Sequence, residues 1–106
     1  MTAKPGGLLY QDRVTGTGAT ATTESTVSVT YAGYLPTGRQ FDAGTTQFPL
    51  SGVVPGFRDG IAGMRVGGER TIVMPPALGY GAAPPRGSGI PANSVLVFNV
   101  KLNSIP

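Results

Sequence analysis

Thr26-Val27-Ser28-Val29-Thr30-Tyr31-Ala32-Gly33-Tyr34-Leu35 alternates between two kinds of residue. Val27, Val29 and Tyr31 fall on one side, and Ser28, Thr30 and Ala32 on the other. A period of two over this length marks a strand with one apolar face. Pro36-Thr37-Gly38 ends it with a turn signal. Arg39 to Asp42 resumes an extended course that can pair back as a hairpin. Ala43-Gly44-Thr45-Thr46 reads as a short loop, and Gln47-Phe48-Pro49-Leu50 as an edge-like piece, because Pro49 has no N–H for a central ladder. Upstream, Leu8 to Val14 reads as a first strand, Thr15-Gly16-Thr17-Gly18 as a turn and the Thr-rich Ala19 to Ser25 as a connection. Residues 1–7 read as a loose, flexible N-terminal tail.

Downstream, the period changes. Phe57, Ile61 and Met64 stand at i, i+4 and i+7, a single apolar stripe that predicts a helix over Pro55 to Met64. Pro55 suits the first helical position, where its missing N–H costs nothing, and Gly67-Gly68 supplies a stop. So short a helix must be held by packing its stripe on a sheet. Glu69 to Met74 is a further strand, with Arg70, Ile72 and Met74 opposite Glu69, Thr71 and Val73. Ser94 to Asn103 closes the chain as another, with Leu96, Phe98, Val100 and Leu102 on one face. Between them, Pro75 to Asn93 is a long loop rich in proline and glycine, and loops of that length in a small domain are usually functional. About five strands with turns that favour antiparallel pairing, and one short helix, make an α+β layer arrangement.

The composition removes several chemistries. The chain has 106 residues, enough for one core, and 40% of them are apolar. It has no cysteine, so disulfides, thiolate metal sites and cysteine nucleophiles are excluded. It has no histidine, which removes Ser-His-Asp machinery and histidine metal ligands. The five carboxylates, Asp12, Glu24, Asp42, Asp59 and Glu69, are dispersed and form no ligand cluster, so neither metal nor cofactor is expected. The net charge of +3 comes from scattered Lys and Arg, and no basic patch for nucleic acid is formed. No apolar run approaches the roughly 20 residues of a membrane span. Residues 1–7 lack the apolar stretch of a signal peptide. A cytoplasmic protein fits this, as does an extracytoplasmic one whose signal has been removed.

Glycine-rich stretches such as Gly16-Thr17-Gly18 do not have the strand-to-helix spacing of a phosphate loop. The aromatics stand out instead. Tyr31 ends the apolar side of a strand, Phe41 and Phe48 flank a loop, Phe57 heads the helix stripe and Phe98 lies on the last strand's apolar face. The plain alternative is that each simply fills the core. Tyr80 differs, because it sits between glycines in a loop, where a hydroxyl is free to meet a ligand.

Eight motifs now stand in order: Val29-Thr30-Tyr31-Ala32-Gly33-Tyr34-Leu35, Gly38-Arg39-Gln40-Phe41-Asp42, Val53-Val54-Pro55-Gly56-Phe57, Gly60-Ile61-Ala62-Gly63-Met64, Val66-Gly67-Gly68-Glu69-Arg70, Pro75-Pro76-Ala77-Leu78-Gly79-Tyr80-Gly81-Ala82, Ile90-Pro91-Ala92-Asn93 and Leu96-Val97-Phe98. In this order and spacing, residues 8–102 resemble the FKBP-type peptidyl-prolyl cis-trans isomerases, the tacrolimus- and rapamycin-binding immunophilins. The resemblance implies a curled antiparallel sheet wrapped across one short helix, with residues 8–106 as the isomerase domain. It implies a pocket between sheet and helix. Asp42, Tyr80, Phe41 and Phe98 would be its catalytic residues, and Tyr31, Phe48, Val53, Val54, Phe57 and Ile90 its substrate-binding ones. Phe57 would be the floor, where many relatives have Trp; the Tyr80 hydroxyl and the Val54 N–H would face substrate carbonyls. The chain departs from the family pattern in a shorter Asp42–Phe48 segment, in Gly52 where an acidic residue is common, in Pro55 where Arg is common, and in a longer loop after Tyr80. Strict alternation points Asp42 away from Phe41's face, so a bend at Ala43-Gly44 is needed to bring both into one pocket.

The implied reaction is rotation about X–Pro bonds in folding or unfolded segments. It breaks no bond, so the lack of His and Cys is compatible with it. The implied partners are proline-containing polypeptide segments and macrolide inhibitors of the tacrolimus and rapamycin type, with a monomer expected and neither nucleic acid nor membrane. The competing reading is a non-catalytic proline-peptide binding or chaperone-like module that keeps the pocket without turnover.

Overall fold

The alternating segment forms a nine-residue strand, and Val27 and Val29 are completely buried on its inner face. The computed structural model describes residues 1–106. Its strands are β1 (Thr2–Lys4), β2 (Leu8–Val14), β3 (Thr26–Tyr34), β4 (Gln40–Pro49), β5 (Glu69–Met74) and β6 (Leu96–Ser104). All neighbours pair antiparallel in one sheet of order β1-β2-β5-β6-β3-β4. The expected alternation holds on the inner strands: Leu96, Phe98, Val100 and Leu102 of β6, and Arg70, Ile72 and Met74 of β5, are all buried. The sheet curls over the single helix α1 (Pro55–Ile61), whose Phe57 and Ile61 join these residues in one core.

The helix lies close to the sheet because two of its residues have no side chain. A Cβ on Gly56 would come within 2.7 Å of the Met74 sulfur, and one on Gly60 within 2.8 Å of Ile72. These glycines sit at i and i+4, so one face of α1 presents bare backbone to β5 while Phe57 and Ile61 reach inward beside it. Pro55 occupies the first turn as expected, and the N–H groups of Phe57 and Arg58 donate to the Val54 carbonyl. The helix is shorter than its stripe. It ends at Ile61 because Gly63, at φ +92°, turns the chain into the left-handed region before Gly67-Gly68 is reached. Met64 remains buried, carried there by the turn rather than by the helix.

Two other segments differ from the sequence expectation. Residues 39–50 are not two short pieces around a loop. β4 runs unbroken from Gln40 to Pro49 as the sheet's edge strand, with Pro49 at its last position, where a missing N–H is tolerated. Residues 1–7 are not loose. β1 pairs with β2, and the Lys4 ammonium donates to the Asp59 and Ala62 carbonyls at the end of α1. Three residues, Thr2-Ala3-Lys4, are too short a stretch to show a strand period. Burial, and then the neighbouring Arg70, lower the Lys4 pKa below the usual lysine value.

Arg70 is the one buried charged residue, 5% exposed. It donates to Asp12 of β2 at 2.6 and 3.2 Å and to the Gly60 and Ala62 carbonyls at 2.9 and 3.2 Å, with its guanidinium 4.2 Å above the Tyr10 ring. No helix is long and apolar enough to cross a membrane.

Candidate active site

Where β3 and β4 approach the first turn of α1, four aromatic rings meet. Phe57 and Phe98 lie 4.7 Å apart between centroids. Phe48 is 5.6 Å and Tyr31 6.0 Å from Phe57, the latter edge-on. Phe57 and Phe98 are almost fully buried, so they form the base, while Phe48 and Tyr31 are partly exposed walls. Above them opens a cavity of about 330 Å³. Tyr31, Asp42, Phe48, Val53, Val54, Phe57, Tyr80 and Phe98 line it, together with Thr46, Gly52 and Leu96.

Two of the ten residues singled out from sequence lie elsewhere. Phe41 and Ile90 line an adjoining hollow of about 270 Å³, which shares Asp42 and Tyr80 with the main cavity as a common wall. Phe41 still belongs to the aromatic cluster, edge-on to Phe98 at 5.5 Å. Thr46, Gly52 and Leu96 were not singled out. The signal for Thr46 was present: once β4 is continuous, Asp42, Gly44, Thr46 and Phe48 share one face by strand alternation. Reading residues 43–46 as a loop hid it.

The bend that brings Phe41 and Asp42 to one side is not at Ala43-Gly44. Gly33 pairs with Asp42 but Tyr34 pairs with Gln40, so Phe41 is an extra residue opposite no partner, a β-bulge. A bulge re-aims the side chains beside it. Phe41 thereby reaches Phe98 while Asp42 reaches Tyr31. Gly33 makes the space: a Cβ there would sit 2.7 Å from both the Phe41 and Phe98 rings.

Polar groups in the cavity divide into the engaged and the free. The Tyr31 hydroxyl donates to Asp42 Oδ2 at 2.9 Å, and the Ala43 N–H donates to Asp42 Oδ1 at 2.9 Å. Each carboxylate oxygen therefore accepts one hydrogen bond from within the protein. Burial, reinforced by donation to that carboxylate, raises the Tyr31 pKa above the usual tyrosine value, so the ring keeps its proton and stays a donor. By contrast, the Tyr80 hydroxyl and the Val54 N–H donate to no group in the protein. Val54 is presented by the tight turn Leu50–Gly52, tied down where the Leu50 N–H meets the Ser25 carbonyl, and by Pro55 after it. Tyr80 is held by the start of the long loop, where the Asn93 N–H donates to the Gly81 carbonyl at 2.7 Å. The result is an apolar aromatic cup with two unpaired donors on its lining residues. It can bury a small ring and hold amide carbonyls, and it contains no nucleophile paired with a base.

Known proteins share this arrangement. A family model described as FKBP-type peptidyl-prolyl cis-trans isomerase matches residues 18–103. The chain is 44% identical to FK506-binding protein 3 of Candida albicans over 94% of its own length, but spans only 24% of that protein. It is 41% identical to the "Probable FK506-binding protein" of Corynebacterium glutamicum, covering 94% of this chain and 88% of that one. Among solved structures it superposes on FkpA from Escherichia coli with a TM-score of 0.90 at 37% identity, over 98% of this chain and 50% of that one. A peptidyl-prolyl cis-trans isomerase from Pseudomonas syringae gives 0.86 at 31% identity, over 97% and 83%. With its sheet order, its aromatic cup and these matches in agreement, the chain belongs to the FKBP-type peptidyl-prolyl cis-trans isomerase family.

Proposed function

We propose that this domain catalyses cis-trans isomerisation of X–Pro bonds in extended polypeptide segments, and that tacrolimus- or rapamycin-type macrolides compete for the same cavity. The observation that carries this reading is the pairing of an aromatic cup with two free donors, Tyr80 O–H and Val54 N–H. Rotation about a peptide bond is opposed by amide resonance, a barrier of roughly 18–20 kcal/mol. The planar amide is strongly dipolar, and the twisted amide loses conjugation and part of its carbonyl polarity. A dry apolar cup disfavours the planar form more than the twisted one, which is binding matched to the transition state. The proline ring rests on Phe57 between Phe48, Tyr31 and Phe98. Tyr80 and Val54 hold carbonyls on either side of the rotating bond and orient the segment. The Tyr31–Asp42 pair fixes one wall, and because its donors and acceptors already satisfy each other it does not compete for those carbonyls. A single copy supplies every residue of the cup, so the proposed activity needs no second chain.

The test is the rate of cis-to-trans conversion of a short proline peptide, with and without a macrolide. Acceleration suppressed by the macrolide supports the reading. Macrolide binding with no acceleration would instead make the domain a proline-peptide binding module.

A further inference from the structure

The hollow beside the main cavity carries a charge that the fold leaves unused. Arg86 lines it together with Phe41, Asp42, Tyr80 and Ile90. Arg13, Arg58 and Arg70 are paired with Glu69, Asp59 and Asp12. Arg65 donates to the Thr17 and Gly18 carbonyls, and Lys4 to two carbonyls of the helix end. Arg86 donates to nothing and has no carboxylate within ion-pair distance, although Asp42 shares its hollow. Asp42 accepts instead from two neutral donors, the Tyr31 hydroxyl and the Ala43 N–H, which hold its carboxylate toward β3 and β4 without supplying a counter-charge. A second cation stands at the hollow's edge. Arg39, in the turn before β4, lies against Gly89 and donates to its carbonyl at 3.4 Å. Pro84-Pro85 immediately precedes Arg86 and restricts the backbone there. An unpaired, exposed guanidinium thus lines a hollow that shares the wall of Asp42 and Tyr80 with the cup.

We propose that Arg86 makes this site prefer X–Pro segments with a carboxylate side chain next to the proline. The proposal rests on the isomerase reading above and adds a specificity to it. A substrate whose proline fills the cup places a neighbouring side chain in the adjoining hollow. An Asp or Glu there meets two cations, Arg86 and Arg39, against the single carboxylate of Asp42, whereas a Lys adds a third cation beside them. Guanidinium and carboxylate match in a two-point fork, which favours Arg over a simple point charge. The hollow is open to solvent, so the preference is modest, about two- to fivefold in kcat/KM.

The experiment measures kcat/KM by protease-free NMR exchange on peptides identical except for Glu, Gln or Lys beside the proline, in one series before it and in another after it. At low salt the Glu peptide is expected to exceed the Gln peptide about two- to fivefold in at least one series, with Lys lowest. The ratio should shrink at high salt, where the screening length falls to a few ångströms. Arg86→Gln should bring the Glu-to-Gln ratio close to one, while Arg86→Lys keeps part of it. Taking a ratio within each variant cancels differences in folding. Equal rates for Glu and Gln in both series of the parent protein would overturn the proposal, as would a ratio that survives Arg86→Gln. If even the Gln peptides are not accelerated, the isomerase reading fails and this preference fails with it; acceleration without charge preference leaves that reading intact and removes this one alone.

Discussion

Tyr80 and Tyr31 face the same cavity, but their hydroxyls have opposite assignments, and this sets what each is expected to do when truncated. The Tyr80 hydroxyl has no partner in the fold. Tyr80→Phe removes little apolar area, so the denaturation midpoint should be unchanged. If the hydroxyl holds a substrate carbonyl, kcat/KM should fall about three- to tenfold, the worth of one net hydrogen bond. A lower midpoint with unchanged kcat/KM per folded molecule would take Tyr80 out of the site. Tyr31 already donates to Asp42, and its raised pKa gives a pH signature. Folding favours its protonated form. Its contribution to stability is therefore fully present below the unfolded tyrosine value of about 10 and is lost as pH rises through the higher folded value. Denaturant titrations of the parent and Tyr31→Phe should differ by a constant amount through neutral pH and converge above about pH 10. A gap that stays constant into strong alkali would show that the Tyr31–Asp42 bond contributes nothing. Sequence alone named both tyrosines for the site, but it could not tell the engaged hydroxyl from the free one. That distinction depends on the bulge at Phe41, which turns Asp42 toward Tyr31.

At the scale of elements, the fit of α1 on β5 depends on what its glycines lack. Alanine in a helix interior is favoured over glycine by about 1 kcal/mol, so by propensity alone Gly60→Ala should stabilise. Packing opposes this. The new Cβ would stand 2.8 Å from two carbons of Ile72, itself completely buried and without room to withdraw. Overpacking costs about 1–3 kcal/mol, so a net loss is expected. Adding Ile72→Val, which deletes one of the two clashing carbons, should recover part of it. A Gly60→Ala protein as stable as the parent would mean that the helix rides farther from the sheet than its glycines allow. The elements most legible in the sequence were those with one clean period. The alternation of β3, β5 and β6 and the stripe of α1 need only the residues themselves. β4 was the failure, and the reason is specific. It is an edge strand with mostly exposed side chains, so there was no buried face to impose an apolar period. Gly44 and Pro49 read as breaks, although Gly44 sits where a pairing partner, Tyr31, is large and Pro49 sits where the ladder ends. β1 failed similarly, three residues whose pairing is set by β2 and not by any pattern of their own.

Across the whole molecule, one side chain joins most of the layers that the elements form. Arg70 belongs to the inward face of β5, reaches Asp12 on β2, receives the end of α1 through Gly60 and Ala62, and lies over Tyr10. The sequence placed Arg70 on the same face as Ile72 and Met74, but only the register, with Asp12 directly opposite Arg70, supplies its counter-ion. The two partners are unequally buried: the Arg70 side chain is 6% exposed and that of Asp12 39%. Removing one partner of a buried pair costs about 3–5 kcal/mol because the other charge is left uncompensated. Here the penalty depends on which charge remains. Asp12→Asn leaves a cation deep in the fold with only carbonyls and a ring face for company, so its cost should lie near the top of that range. Arg70→Met leaves a carboxylate that water can reach and fills the space with apolar atoms, so a smaller loss of about 2–3 kcal/mol is expected. The double variant should lose less than the two single losses combined, since neither charge then lacks a partner. High salt should narrow these differences only in part, because the Arg70 end of the pair is buried while the Asp12 end is open to mobile ions. Denaturant midpoints of the four proteins, at low and high salt, decide the matter. Strictly additive losses, or an Asp12→Asn protein more stable than Arg70→Met, would mean that Arg70 is held by its carbonyls alone and that its ion pair with β2 does not secure the helix to the sheet.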